Sequence, residues 1–113
     1  MAPTTLPNMK TATSPTGRNV QTMGNPLKIL DLVALLDGVC LATRQAVHTA
    51  PAIRRTKRMI RKAFENSMEG KGTSIVEVVS TCSSGWKMTP VQANKWMEDN
   101  MFPAYPLGDI KNI

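Results

Sequence analysis

The stretch Cys40-Leu-Ala-Thr-Arg-Gln-Ala-Val47, a break at Thr49 and Pro51, a long polar-apolar segment to Glu69, and then Ser74-Ile-Val-Glu-Val-Val-Ser-Thr81 together decide the fold class. Cys40 to Val47 reads as a short strand. Thr49 and Pro51 reset the chain into a helix that runs to about Glu69 and is stopped by Gly70 and Gly72. Ile75, Val76, Val78 and Val79 around the single acid Glu77 suit a strand covered on both faces. Strand, helix and strand make one βαβ crossover with parallel strands, expected to be right-handed, so the class is α/β.

Working outward, an earlier helix is predicted with Asn25 as N-cap, Pro26 at its first position and Leu27 to Asp37 as its body, ended by Gly38. Leu27, Ile29, Leu30, Leu32, Val33, Leu35 and Leu36 cover most of its circumference, so it asks for burial on more than one side. A third helix has the clearest start signal: Thr89 and Gln92 form a capping box, Pro90 sits in the first turn, and Val91 to Met101 follows with Ala93, Trp96, Met97 and Met101 as its packing face. Pro103 and Pro106 end regular structure and leave an extended tail. Residues 1–25 carry Pro3, Pro7, Pro15, Gly17 and Gly24 and no acid, fit no helical or strand period, and read as a loop or arm. Two parallel strands and three helices cannot cover both faces of a sheet and also enclose so apolar a first helix. The chain is therefore expected to be part of a larger α/β domain, or a subunit that folds against a partner.

With 113 residues, 42% of them apolar and 19% charged, the chain holds one core at most, which excludes a multidomain enzyme. Its longest apolar run, broken by Lys28 and Asp31, is far short of the ~20 residues a membrane helix needs. The Thr- and Pro-rich start has no apolar segment of the signal-peptide kind, and a cytoplasmic location is expected by default. Cys40 and Cys82 have no metal or redox spacing and read as free thiols.

Lys and Arg outnumber Asp and Glu by 14 to 8, a formal charge of +6. Arg54, Arg55, Lys57, Arg58, Arg61 and Lys62 concentrate that excess on the crossover helix, whose apolar stripe is read as Ile53, Ile60, Ala63, Phe64 and Ser67 with Thr56. Such a helix could neutralise phosphates, so a small basic nucleic-acid-binding module is the alternative function. No aromatic interleaves the charges for base stacking, however, and a solvated face or a docking surface for an acidic partner is the preferred reading. Glu77, inside an apolar strand, must be paired or protonated, and Arg44 on the neighbouring strand is its expected partner. Cys82, at the end of that strand, reads as a buried structural thiol. His48, without a local carboxylate, reads as a packing residue.

The opening Met-Ala-Pro-Thr-Thr-Leu-Pro, then Thr13-Ser14-Pro15 with Gly17-Arg18, resembles the beta subunit of the 2-oxoacid:ferredoxin oxidoreductases, the thiamine diphosphate-binding subunit. Ile60-Arg-Lys-Ala-Phe-Glu-Asn with Gly70-Lys-Gly72, Val76-Glu-Val-Val-Ser-Thr-Cys82, and the ordered set Thr89-Pro90-Val91, Lys95-Trp96, Glu98, Asn100-Met101 and Tyr105-Pro-Leu-Gly108 continue that resemblance along the whole chain. Asn8-Met9, Ala12 and Ser83-Ser84-Gly85-Trp86 depart from the family's usual pattern. The resemblance implies the C-terminal part of a doubly wound thiamine diphosphate-binding fold. Residues 1–25 would be the loop leaving the cofactor site, and 26–113 the C-terminal half of the domain. It further implies oxidative decarboxylation of a 2-oxoacid such as 2-oxoglutarate, with coenzyme A as co-substrate and ferredoxin reduced. Partners would be an alpha subunit, a smaller iron-sulfur subunit and ferredoxin. Pro3, Thr4 and Thr5 would lie near thiamine diphosphate. The family's Gly-Asp-Gly segment, which holds Mg2+ and diphosphate, lies upstream of the matched residues, so no metal ligand is assigned in this chain. A truncated or split gene, or an internal methionine taken as a start, is the expected origin, with a degenerate remnant as a third possibility; alone, the chain is expected to be inactive.

Overall fold

The computed structural model describes residues 4–12 and 14–113. In chain order the elements are α1 (Val20–Met23), α2 (Ile29–Ala34), β1 (Val39–Ala46), α3 (Ala50–Met68), β2 (Thr73–Val79), α4 (Ser83–Trp86), α5 (Pro90–Trp96), a π-helical turn (Met97–Met101), α6 (Phe102–Ala104) and β3 (Gly108–Asn112). They divide into two compact units: Ile29–Ser80 with Ala104–Ile113, and Met1–Lys28 with Thr81–Pro103.

The first of these units is a three-stranded sheet in the order β2-β1-β3. The expected crossover is present: β1 and β2 are parallel, with Arg44 opposite Glu77, and α3 joins them. β1 is central and every one of its residues is buried. The Thr49 hydroxyl accepts from the Ala52 amide at 3.2 Å and starts α3 as predicted. At its far end Gly70 takes a φ of +68° in the turn toward β2. Gly72 is a position where a side chain does not fit: its φ is +130°, and a Cβ there would meet the Gly38 carbonyl oxygen at 2.7 Å.

Four expectations change. The tail after Pro106 is not merely extended, because Gly108–Asn112 pairs antiparallel to β1, making the sheet mixed rather than two-stranded and parallel. β2 is an edge strand, half-exposed along most of its length with only Val79 buried, so it is not covered on both faces. α2 is six residues long, starting at Ile29 rather than at Leu27 with an Asn25 cap. Beyond Ala34 the amides of Leu35 and Leu36 bond back three residues to Leu32 and Val33, a tight 3₁₀-type ending. It buries only Leu30 and Ala34, against Val39 and Ala42, and leaves Leu32, Leu35 and Leu36 exposed, Leu35 to 79%.

The buried stripe of α3 also differs. It runs through Ala52, Thr56 and Asn66, with Ala63 half-buried, while Ile53, Ile60, Phe64 and Ser67 are exposed. The cause is polar and steric together. Thr56 Oγ1 donates to the Ala46 carbonyl at 2.8 Å and Asn66 Nδ2 donates to Ser74 Oγ at 3.2 Å, and these bonds aim one face of the helix at the strands. The small side chains of Ala52 and Ala63 let that face approach closely.

In the second unit the predicted capping box is present: the Thr89 hydroxyl accepts from the Gln92 amide and the Gln92 side chain accepts from the Thr89 amide. α5 passes into the π-helical turn, and Ala93 and Met97 are buried while Trp96 and Met101 are half-buried. Trp86 and Trp96 stack at a centroid distance of 4.8 Å, tilted by 51°. The segment read as an arm contains α1, capped by Asn19, and the Asn8 amide donates to the Arg18 carbonyl at 2.9 Å. Among the described residues no helix is long and apolar enough to cross a membrane.

Candidate functional site

Within the second unit, two sequence segments meet around a cavity of about 300 Å³. Thr4, Thr5 and Met9 line it from the N-terminal side, and Cys82, Trp86 and Met101 from the other. The N-terminal wall is fixed by Arg18, which is only 4% exposed. Its Nη1 donates to the Thr5 carbonyl at 3.1 Å, its Nε to the Gly24 carbonyl at 3.0 Å, and its Nη2 to the Met23 and Asn25 carbonyls at 3.3 and 3.2 Å. A guanidinium's planar fork suits this task, since it reaches several acceptors in fixed directions. The Thr5 backbone is thereby tied to the chain leaving α1.

The opposite wall depends on the turn after β2. Cys82 is not the buried thiol at a strand end that the sequence suggests: β2 stops at Val79, and Cys82 is an exposed thiol that opens α4. Its Sγ lies over Gly85, where an added Cβ would approach it to 2.7 Å. Met101 reaches the cavity as the last residue of the π-helical turn, whose wider winding rotates the side chains at its end relative to a continuous α-helix. Thr4, Thr5 and Cys82 are thus brought together, while Pro3 lies outside the described residues. The volume is at the lower end for an organic ligand, and the lining combines hydroxyls and one thiol with apolar side chains.

Arg44 dominates the sheet unit. It is 2% exposed, its Nε donates to Glu77 Oε1 at 2.6 Å, its Nη2 to Asp31 Oδ2 at 2.9 Å, and its Nη1 to the Pro106 carbonyl at 3.3 Å. The Tyr105 ring faces the guanidinium at 5.3 Å. The Arg44–Glu77 pair matches the expectation from sequence; Asp31, Pro106 and Tyr105 are additions to it. Burial works to lower the Arg44 pKa, but the hydrogen bonds and charges of Glu77 and Asp31 outweigh it and hold the guanidinium above its ordinary value. A guanidinium so held has no proton to exchange near neutrality, and Arg44 serves to tie α2, β1, β2 and the approach to β3 together.

The basic residues of α3 are solvent-facing, with Lys62 half-buried and donating to Asn112 Oδ1 at 2.7 Å. His48 is half-buried in the turn between β1 and α3. Among the described residues no three His, Cys, Asp or Glu side chains converge as metal ligands.

No protein-family model matches the chain. No solved structure matches it either. Two curated proteins do. The ketoisovalerate oxidoreductase subunit VorA of Methanothermobacter thermautotrophicus is 32% identical over 112 residues, which are 99% of this chain and 24% of that protein. Its counterpart in Methanothermobacter marburgensis is 30% identical over 112 residues, 99% of this chain and 23% of the relative. The chain is therefore similar, from end to end, to ketoisovalerate oxidoreductase subunits, and spans about a quarter of their length.

Proposed function

We propose that this chain is part of a subunit of a 2-oxoacid:ferredoxin oxidoreductase, acting inside a hetero-oligomeric complex in the cytoplasm. The observation that carries the reading is the alignment of 112 of its residues with subunits named for ketoisovalerate oxidation. The fold is compatible, being a mixed α/β arrangement, and the exposed Leu32, Leu35 and Leu36 beside α2 are side chains that a neighbouring part of such a complex would cover.

Within that reading, the chain corresponds to the beta, thiamine diphosphate-binding subunit, with an alpha subunit, an iron-sulfur subunit and ferredoxin as partners. The relatives' name favours a branched 2-oxoacid as substrate over 2-oxoglutarate. Thr4 and Thr5 on the 300 Å³ cavity supply a hydroxyl-bearing wall suited to orient part of a cofactor or substrate. The residues lining that cavity include no carboxylate, so they do not fit the Mg2+-diphosphate half of thiamine diphosphate.

The test is to tag the chain in its native host, purify the proteins that accompany it, and measure 2-oxoacid-dependent, coenzyme A-dependent reduction of a viologen dye. Activity with 3-methyl-2-oxobutanoate exceeding that with 2-oxoglutarate and pyruvate supports the full reading. Activity confined to another 2-oxoacid corrects the substrate alone. A chain that purifies without 2-oxoacid oxidoreductase activity under any of the three rejects the reading.

A further inference from the structure

The inward face of α3 is fully committed: Ala52, Thr56 and Asn66 are buried, and the latter two are bonded to the Ala46 carbonyl and the Ser74 hydroxyl. About a quarter turn away runs a second apolar strip, Ile53, Ile60, Phe64 and Met68, at spacings that keep it on one side of the helix. All four are exposed, Phe64 to 70% and Met68 to 89%. At ~1.5 Å per residue the strip is about 22 Å long. Lys57 stands within the strip, Arg54 and Arg61 form its outward flank, Arg58 lies farther round the helix, all four are solvent-facing, and Arg61–Glu65 at 3.1 Å is the ion pair that this flank makes among the described residues.

We propose that this outer face of α3 is a docking surface for an acidic protein face that carries an apolar anchor. The proposal rests on α3 alone and not on the reaction proposed above. A strip with an exposed aromatic anchor and arginines along one rim has the anatomy of a protein-binding patch, in which the apolar core supplies affinity and the charged rim supplies orientation and encounter rate. The rim's sign selects the partner. A second copy of this chain would bring the same row of cations against itself and be repelled. Nucleic acid would need cations along the centre of the face, where Lys57 stands as one cation among four apolar side chains. A membrane surface would need a broad apolar face free to sink, whereas this strip is narrow and its helix is pinned to β1 and β2 by the opposite side.

The experiment places a photo-crosslinking residue at the anchor, Phe64→p-benzoylphenylalanine, in the full chain produced in its native host. After irradiation the adduct is mapped by mass spectrometry. The expected result is an adduct on a protein segment rich in Asp and Glu with an apolar residue among them. Its yield should fall about tenfold in the Arg54→Glu/Arg61→Glu variant, and the parent's yield should fall at about 0.5 M salt, where exposed charges more than a few ångströms apart are screened. Phe64, Arg54 and Arg61 are solvent-facing, so the thermal midpoint of each variant should match the parent, and this separates lost docking from lost folding. An adduct on nucleic acid, lipid, a second copy of the chain or a segment without acidic excess overturns the proposal, as does the absence of any adduct in a variant with an unchanged thermal midpoint.

Discussion

Each of the two units buries one arginine, and the two solve the cost of that burial differently. Arg44 in the sheet unit is matched by two carboxylates, a carbonyl and a ring drawn from positions 31, 77, 105 and 106. Arg18 in the other unit is matched by the carbonyls of residues 5, 23, 24 and 25. The first is a network of charge that joins elements distant in sequence. The second is a clamp on a loop. A charge network makes the tertiary fold conditional on one side chain, whereas a carbonyl clamp makes only a local chain path conditional on it.

The sharpest way to break that contrast is Arg44→Met, which keeps the volume and leaves Glu77 without its cation. Removing one partner of a fully buried pair costs about 3–5 kcal/mol, and with Glu77 31% exposed the loss should be smaller, about 2–3 kcal/mol, with the amides of β1, β2 and β3 losing hydrogen-exchange protection together. A loss under about 1 kcal/mol would mean that the network is ornamental. Arg18→Lys comes next. One ammonium cannot reach four divergent carbonyls, and leaving buried acceptors unmet costs about 1–3 kcal/mol. The effect should be regional: hydrogen exchange at the Asn8 amide accelerates while the amides of β1 keep their protection. Uniform acceleration in both places would erase the distinction between network and clamp.

Asp31→Asn resolves the network further. Asp31 is 45% exposed where Glu77 is 31% exposed, so its pair with Arg44 is discounted by solvent and should contribute about 0.5–1 kcal/mol. The loss should shrink at high salt, because the screening length there falls to ~3 Å at 1 M. An Asp31→Asn cost equal to that of Arg44→Met would show that the three groups act as one indivisible unit.

The same contrast explains which features are legible in the sequence. Arg44 and Glu77 each stand as a single charge within an apolar strand, so their pairing follows from the cost of leaving either alone. Arg18 offers no such signal, because its acceptors are backbone carbonyls that every residue possesses. The Thr89–Gln92 capping box and the Thr49 start of α3 depend on local spacing and are readable. β3 is not, since Asp109, Lys111 and Asn112 lack the alternation of a half-buried strand and follow two prolines. In α3 the residues carry two stripes, and the larger side chains of Ile53, Ile60 and Phe64 draw an inward assignment that Ala52 and Asn66 take in the fold, while Thr56 and Ala63 face inward as read. Thr4 and Thr5 are candidates through the family resemblance, and Cys82 reads as a structural thiol. Their meeting on one cavity is tertiary, and depends on a strand ending at Val79 and on an arginine clamp.

The smallest expected effect is a null one, and its sign can be worked out from the Arg44 network. The guanidinium's pKa is raised in the folded chain: burial lowers it, but the bonds and charges of Glu77 and Asp31 more than offset this. A basic group raised on folding contributes stability that is fully present below its unfolded pKa and is lost only as pH climbs through the folded value. For a guanidinium both values lie above the working range of a protein, so the contribution cannot titrate there. The difference in unfolding free energy between the parent chain and Arg44→Met should therefore be flat from about pH 7 to about pH 10, with a slope under ~0.3 kcal/mol per pH unit. Urea midpoints at three pH values across that range measure it. A steeper slope would place the pH-sensitive link of the network on a partner of Arg44 and not on the arginine, turning a fixed tether between the strands into one that protons can loosen.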